Sequence, residues 1–131
     1  MASLARDSAR ANINGNEVPK IPEFQGTVSL GYVNQVGPGE LTAKASVTYR
    51  GEYQYRLFNN SRYDVTPDYT QVNLFLQYAP DNTDLTFSLS VTNLFDTTGV
   101  NSRFSDPYGS AQTYETYITP RQAIFSVGYS F

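Results

Sequence analysis

Five stretches of the chain alternate apolar and polar residues with a period of two, the spacing of a half-exposed β-strand. They are "FQGTVSLGY" (24–32), "LTAKASVTY" (41–49), "VNLFLQY" (72–78), "LTFSLSV" (85–91) and "AIFSVGYSF" (123–131). One face carries Phe24, Val28, Leu30, Tyr32, Leu41, Ala43, Ala45, Val47, Tyr49, Val72, Leu74, Leu76, Tyr78, Leu85, Phe87, Leu89 and Val91. The other is mostly Thr, Ser, Asn, Gln and Gly, with Lys44 and Arg50; Phe75 and Ile124 are exceptions on it. No segment holds a 3.6 period over helical length. The pattern predicts an all-β fold, an antiparallel up-and-down meander of five long strands.

Two features concern which face is wet. Rings gather near strand ends, at Phe24, Tyr32, Tyr49, Tyr78, Tyr129 and Phe131, and aliphatics or Phe fill the outward midstrand positions. Strands of about 10 residues with terminal rings match the lipid-facing band and aromatic girdles of a membrane barrel. The connections also alternate in length: 34–39 and 79–83 are short, 51–70 and 93–120 long. Short turns at one end and long loops at the other are the asymmetry of an outer-membrane barrel. A soluble sandwich or barrel, apolar inside and binding a small apolar ligand, also alternates and stays open on periodicity alone.

Composition narrows the chemistry. The 131 residues include no cysteine and no histidine, which removes disulfides, thiolate or imidazole catalysis and His or Cys metal sites. Charged residues are only 16%, so the polar face is uncharged polar rather than ionic. A net charge of −3 argues against a nucleic-acid surface. No apolar run reaches the length of a membrane-spanning helix, and "MASLARDSARAN" lacks the apolar core of a signal peptide.

Five strands do not close a barrel, which takes about 8. In hydrocarbon the two open edges cost several kcal/mol for each unpaired backbone group. The expectation is a fragment of a larger barrel, or one protomer of a composite oligomeric barrel. Residues 1–23 read as a leader or extracellular loop, poorly ordered at its start, and 24–131 as the five-stranded portion. With the chain end on the periplasmic side, turns 34–39 and 79–83 are periplasmic. The leader and loops 51–70 and 93–120 are then extracellular.

Three motifs carry a family resemblance. "NGNEVPKIPEFQGTVSLGY" is similar to a G-x-x-V-P-x-x-P loop entering a strand; "VTNLFD" (91–96) resembles a stretch near the end of a penultimate strand; "TPRQAIFSVGYSF" (119–131) resembles a final Pro-Arg and strand ending on an aromatic. With the strand spacing between them, they make residues 14–131 resemble the C-terminal end of a TonB-dependent receptor. That family is of 22-stranded outer-membrane transporters for siderophores, cobalamin, carbohydrate or similar nutrients. The resemblance implies a bacterial outer-membrane location, with lipid, further barrel strands and a plug domain as partners. TonB would be engaged only through an N-terminal part with no counterpart here. It also implies that Phe125, Val127, Tyr129 and Phe131 form the ladder read by the barrel-assembly machinery. It implies wall and extracellular loops, no cofactor and no enzymatic chemistry.

Candidate contact residues lie in the long loops: Tyr53, Tyr55, Arg56, Asn59, Asn60, Arg62 and Tyr63, then Arg103, Phe104, Tyr108, Tyr114 and Tyr117. Aromatics beside arginines grip a siderophore or sugar by stacking, cation–π contact and charge; the same residues also serve as an upper girdle and loop-to-loop packing. Lys44, Arg50, Glu52 and Arg56 are candidates to face a plug or simply to line a wet interior. "DNTD" (81–84) has acidic spacing but lacks the glycine and distal Glu of a calcium loop, and reads as a turn. Asp64, Asp68, Asp96 and Asp106 are the carboxylates available to a glycosidase-like pair, but nothing in the sequence fixes their separation.

Overall fold

The computed structural model describes residues 12–59, 64–105 and 112–131, and these contain strands but no helix. The five long strands form one antiparallel sheet. In chain order they are β1 (Gln25–Gln35), β2 (Gly39–Arg50), β5 (Tyr69–Pro80), β6 (Leu85–Thr92) and β9 (Gln122–Tyr129). Their spatial order, β1-β2-β5-β6-β9, is a pure meander with β1 and β9 at its edges. Two small hairpins occupy the long connections: β3 (Tyr53–Gln54) with β4 (Val65–Thr66), and β7 (Val100–Ser105) with β8 (Thr113–Tyr117). The sheet is an open arc, an incomplete barrel wall.

Register makes the two faces continuous across all five strands. Tyr32, Ala43, Leu76, Leu89 and Phe125 form one transverse row, and Leu30, Ala45, Leu74, Val91 and Ala123 the row beside it. On the opposite face Val33, Thr42, Gln77, Ser88 and Ser126 align. Since a slip of one residue would turn a strand's apolar set over, matching rows on every pair specify the register strongly. Thr27 and Thr48 hydrogen-bond across the polar face at 3.0 Å, and Asn73 Nδ2 donates to Ser46 Oγ at 3.4 Å. The exceptions Phe75 and Ile124 fall in a single polar-face row, Gly31–Lys44–Phe75–Ser90–Ile124.

The apolar face is bare. Val28, Leu30, Phe125, Val127 and Tyr129 are all more than half exposed. The buried side chains lie elsewhere, where the long loops fold together: Tyr53, Tyr55, Asp64, Thr66, Asn93 and Val100. A soluble sheet would cover its apolar face; this chain packs a small, half-polar nucleus at one end and leaves that face uncovered.

The other end carries the short turns. Gly37, at φ 59°, takes the left-handed conformation that the turn between β1 and β2 requires. Adjacent turns are tied laterally. Asp81 N donates to Pro38 O at 2.8 Å, Gln35 Nε2 reaches both carboxylate oxygens of Asp81, and Ser130 N donates to Asp84 O at 2.9 Å. "DNTD" is therefore the turn its sequence suggests, and its first carboxylate is engaged by an amide.

Several expectations need correction. The final stretch does not run in the ladder to the last residue: β9 ends at Tyr129. Phe131 lies beyond it, fully exposed, its ring 6.5 Å from that of Tyr129. Each long connection holds a hairpin that the alternation did not show. Strand β5 starts at Tyr69, inside the span read as a loop.

Candidate functional site

The loop end is organised from the strand ends outward. At the top of β6, Asn93 takes φ 53° and stops the strand; asparagine is among the few side chains that tolerate that conformation. Its amide is wholly buried. Nδ2 donates to Thr97 O at 2.9 Å and to Thr119 O at 3.0 Å, and Oδ1 accepts from Thr97 N at 2.9 Å. Asn93 N donates to Asn73 Oδ1 at 2.9 Å. Asp96 then accepts from Arg121 N at 2.8 Å. The "NLFD" and "TPR" motifs are thus two halves of one clasp, which brings both ends of the long 93–120 connection together beside β5.

The connection then folds back over the polar face. A Cβ on Gly99 would sit 2.7 Å from the Tyr69 ring, so only glycine lets the loop lie this close. Arg103 Nη1 donates to Val65 O at 2.8 Å, and its Nε lies 2.7 Å from Glu115 Oε1. Ser105 N donates to Tyr55 Oη at 2.6 Å. The bonds to Val65 and Tyr55 bind the β7–β8 hairpin to β3–β4, and the Glu115 pair ties β7 to β8. The β3–β4 hairpin is braced by Arg56 Nε on Asp64 Oδ1 at 2.7 Å and by Tyr55 N donating to Asp64 O.

The leader joins the same assembly. Lys20 N donates to Gln54 O at 2.7 Å, and Asn16 Nδ2 to Leu57 O at 2.7 Å. Lys20 sits at φ 64°. A left-handed non-glycine residue costs about 1–2 kcal/mol. That conformation holds its ammonium 5.5 Å from the Tyr55 ring centre. Beside it, the Arg50 guanidinium lies 4.6 Å above the Tyr53 ring, and its Nη1 donates to Asn101 O at 3.2 Å. Lys20, Arg50, Tyr53, Tyr55, Asn101, Ser102 and Arg103 enclose a cleft of about 120 Å³.

The candidate residues therefore divide. Tyr53, Tyr55 and Arg103 converge on the cleft. Arg56 is engaged by Asp64, and Asn59 lies in the turn with its N donating to Arg56 O at 3.3 Å. Phe104 and Tyr114 are exposed on the outer hairpin, away from the cleft lining. Tyr117 donates to Glu115 Oε2 at 2.7 Å; that bond, and then the negative charge of Glu115, raise its pKa above the ordinary 10.0. Arg62, Tyr63 and Tyr108, with Asn60 and Asp106, lie outside the described residues. Two cleft residues lie outside the contact set expected of the loops: Lys20, between two prolines in the leader, and Arg50, expected to face a plug or line a wet interior. Of the carboxylates, Asp64 is buried against Arg56 and Asp96 caps Arg121, so neither faces a shared reaction space. Among the described residues no cluster of acids has metal-ligand geometry.

A bare apolar face, long strands in a meander, short turns at one end and packed loops at the other define a membrane β-barrel wall. The family model described as "TonB dependent receptor-like, beta-barrel" matches residues 2–94, more than half the chain, and the chain belongs to that family. It is a family of transport receptors, not of enzymes, and it implies an outer-membrane barrel with a plug. The match includes the leader and the first four long strands. Comparison with curated proteins and with solved structures gave no match.

Proposed function

We propose that this chain supplies the C-terminal wall and outer loops of a TonB-dependent transporter in the Gram-negative outer membrane. The parent receptor takes up a siderophore, cobalamin, carbohydrate or similar nutrient, and this segment performs no chemistry. The apolar rows face lipid. The polar rows face the lumen, where Lys44 and Arg50 meet the plug or its surrounding water. Strand β9, with Phe125, Val127 and Tyr129 on the apolar face and Phe131 just beyond, is the segment offered to the assembly machinery. The edges of β1 and β9 pair with the remaining strands of the barrel.

The observation that carries this reading is the alignment of exposed apolar residues in rows across every strand. The test is a face-by-face substitution in the full receptor that carries this chain. An arginine at the bilayer midplane costs about 2–4 kcal/mol on the lipid side and much less on the lumen side. Leu76→Arg and Leu89→Arg should reduce the heat-modifiable, folded band in outer-membrane fractions. Asn73→Arg and Ser88→Arg should leave it near wild type. Equal damage from both sets, or the reverse order, overturns the assignment.

A further inference from the structure

We propose that the apolar face carries a seat for one phospholipid of the leaflet at the short-turn end, a groove over β2 whose rim favours an ammonium-bearing head group of the ethanolamine type. The proposal rests on the receptor reading above and adds a particular lipid partner to it. Ala43 and Ala45 are successive outward positions on β2 and keep its middle low. Leu30 and Tyr32 of β1 stand along one side, and Leu74 and Leu76 of β5 along the other. The two wall strands lie about 10 Å apart, twice the spacing of paired strands. Between them runs a groove of about 390 Å³. That is near the low end of ligand pockets, about 300–1,000 Å³, and takes a stretch of one acyl chain. All three strands belong to the described sheet, so the groove is formed without the strands that complete the wall.

The turn end of the groove is polar where the rest of the face is not. Asn34 is the polar member of the apolar-face row Asn34–Leu41–Tyr78–Phe87–Val127. Its Nδ2 donates to Tyr32 Oη at 2.7 Å. That bond uses one amide hydrogen and leaves the other, and the phenol hydrogen, for an ester or phosphate oxygen. In the same row the Tyr78 ring lies over Gly39, where a Cβ would sit 2.7 Å from it, and Tyr78 Oη donates to Val36 O at 3.3 Å. Tyrosines mark the depth at which acyl chains give way to head groups. Beyond them, residues 34–41 and 78–86 carry Glu40, Asp81 and Asp84 and no lysine or arginine. Among the described residues none of these carboxylates is ion-paired. Such a margin attracts an ammonium and repels a head group of net negative charge. It also disfavours a second copy as the occupant, since a two-fold contact through the groove would bring two acidic margins together.

The experiment uses the full receptor carrying this chain, purified in dodecyl maltoside and offered equal amounts of phosphatidylethanolamine and phosphatidylglycerol. Native mass spectrometry should show one phosphatidylethanolamine retained per receptor, preferred about threefold, as exposed charge pairs allow. Ala43→Phe and Ala45→Phe fill the groove and stay apolar; each should cut retention about tenfold, the worth of about two buried methylene groups. Ala123→Phe makes the same exchange in the Ala45 row, three strands away, and should change nothing. Asp81→Asn combined with Asp84→Asn should abolish the head-group preference and leave retention in place. The proposal is overturned if inserted wild type retains no phosphatidylethanolamine or holds phosphatidylglycerol equally well. It is also overturned if the groove variants match wild type, if Ala123→Phe loses as much as they do, if the double variant keeps the preference, or if a receptor dimer appears that the groove variants disperse. Membrane insertion is scored separately by heat-modifiable mobility. An inserted receptor without the lipid sinks only the groove, whereas failure to insert sinks the receptor reading itself.

Discussion

Asn93 ends a strand, turns the chain and joins two distant motifs with a single side chain. No shorter or apolar residue supplies both donors and the acceptor that its amide provides. Asn93→Ala would leave Thr97 N, Thr97 O and Thr119 O without those partners. At about 1–3 kcal/mol for each buried group left unsatisfied, partly relieved by water, a destabilisation of about 2–4 kcal/mol is expected. Denaturant unfolding of the detergent-solubilised receptor would measure it; a change under 1 kcal/mol would show the clasp to be incidental. Tyr117 gives a second prediction at this scale. Its bonded form is the protonated phenol and its pKa is raised, so the contact with Glu115 is intact below 10.0 and is lost as pH rises through the higher folded value. In a difference titration of phenolate absorbance against Tyr117→Phe, this tyrosine should ionise later than a free one. Glu115→Gln should bring it back toward the ordinary value.

At the scale of elements, the two outer hairpins behave as one body with the leader. They meet through Tyr55 and Arg103 rather than through the main ladder. Tyr55→Phe removes the acceptor of Ser105 N, and Arg103→Met removes both the Val65 bond and the Glu115 pair. Hydrogen exchange should therefore speed at β7–β8 in each variant while the β2–β5 ladder stays protected. Uniform change along the chain would refute the separation. Loop-to-loop packing was among the roles expected of Tyr55 and Arg103, but the hairpins they join were not legible in the sequence. "VNSRFS" and "TYETY" alternate weakly, and β3 and β4 are two residues each, too short for any periodicity to register. What positions them is Tyr55 at 50 residues' remove from Ser105, and pattern analysis does not see such partners.

At the scale of the molecule, the long strands were legible because their faces meet different surroundings, and two-residue alternation is the direct record of that. Their ends were not. The β1–β2 ladder continues through Asn34 and Gln35, and β5 begins at Tyr69, where backbone pairing persists after the apolar alternation has faded. The terminal strand erred the other way: Phe131 keeps the apolar alternation beyond the last ladder residue. The cleft was half legible. Tyr53, Tyr55 and Arg103 belong to residue types expected to bind, but Lys20 reaches them only because the leader folds back onto β3.

The lateral bonds along the short-turn end have a mechanical consequence. The first turn is fastened to the second through Pro38, Gln35 and Asp81, and the second to the chain end through Asp84 and Ser130. A tug on any one turn is therefore carried sideways into its neighbour, as in a stitched hem, rather than unzipping a single hairpin. The long-loop rim is braced instead by folded hairpins that stand above the sheet. Under a steady pull on this part of the wall, the hemmed margin should be the last to tear.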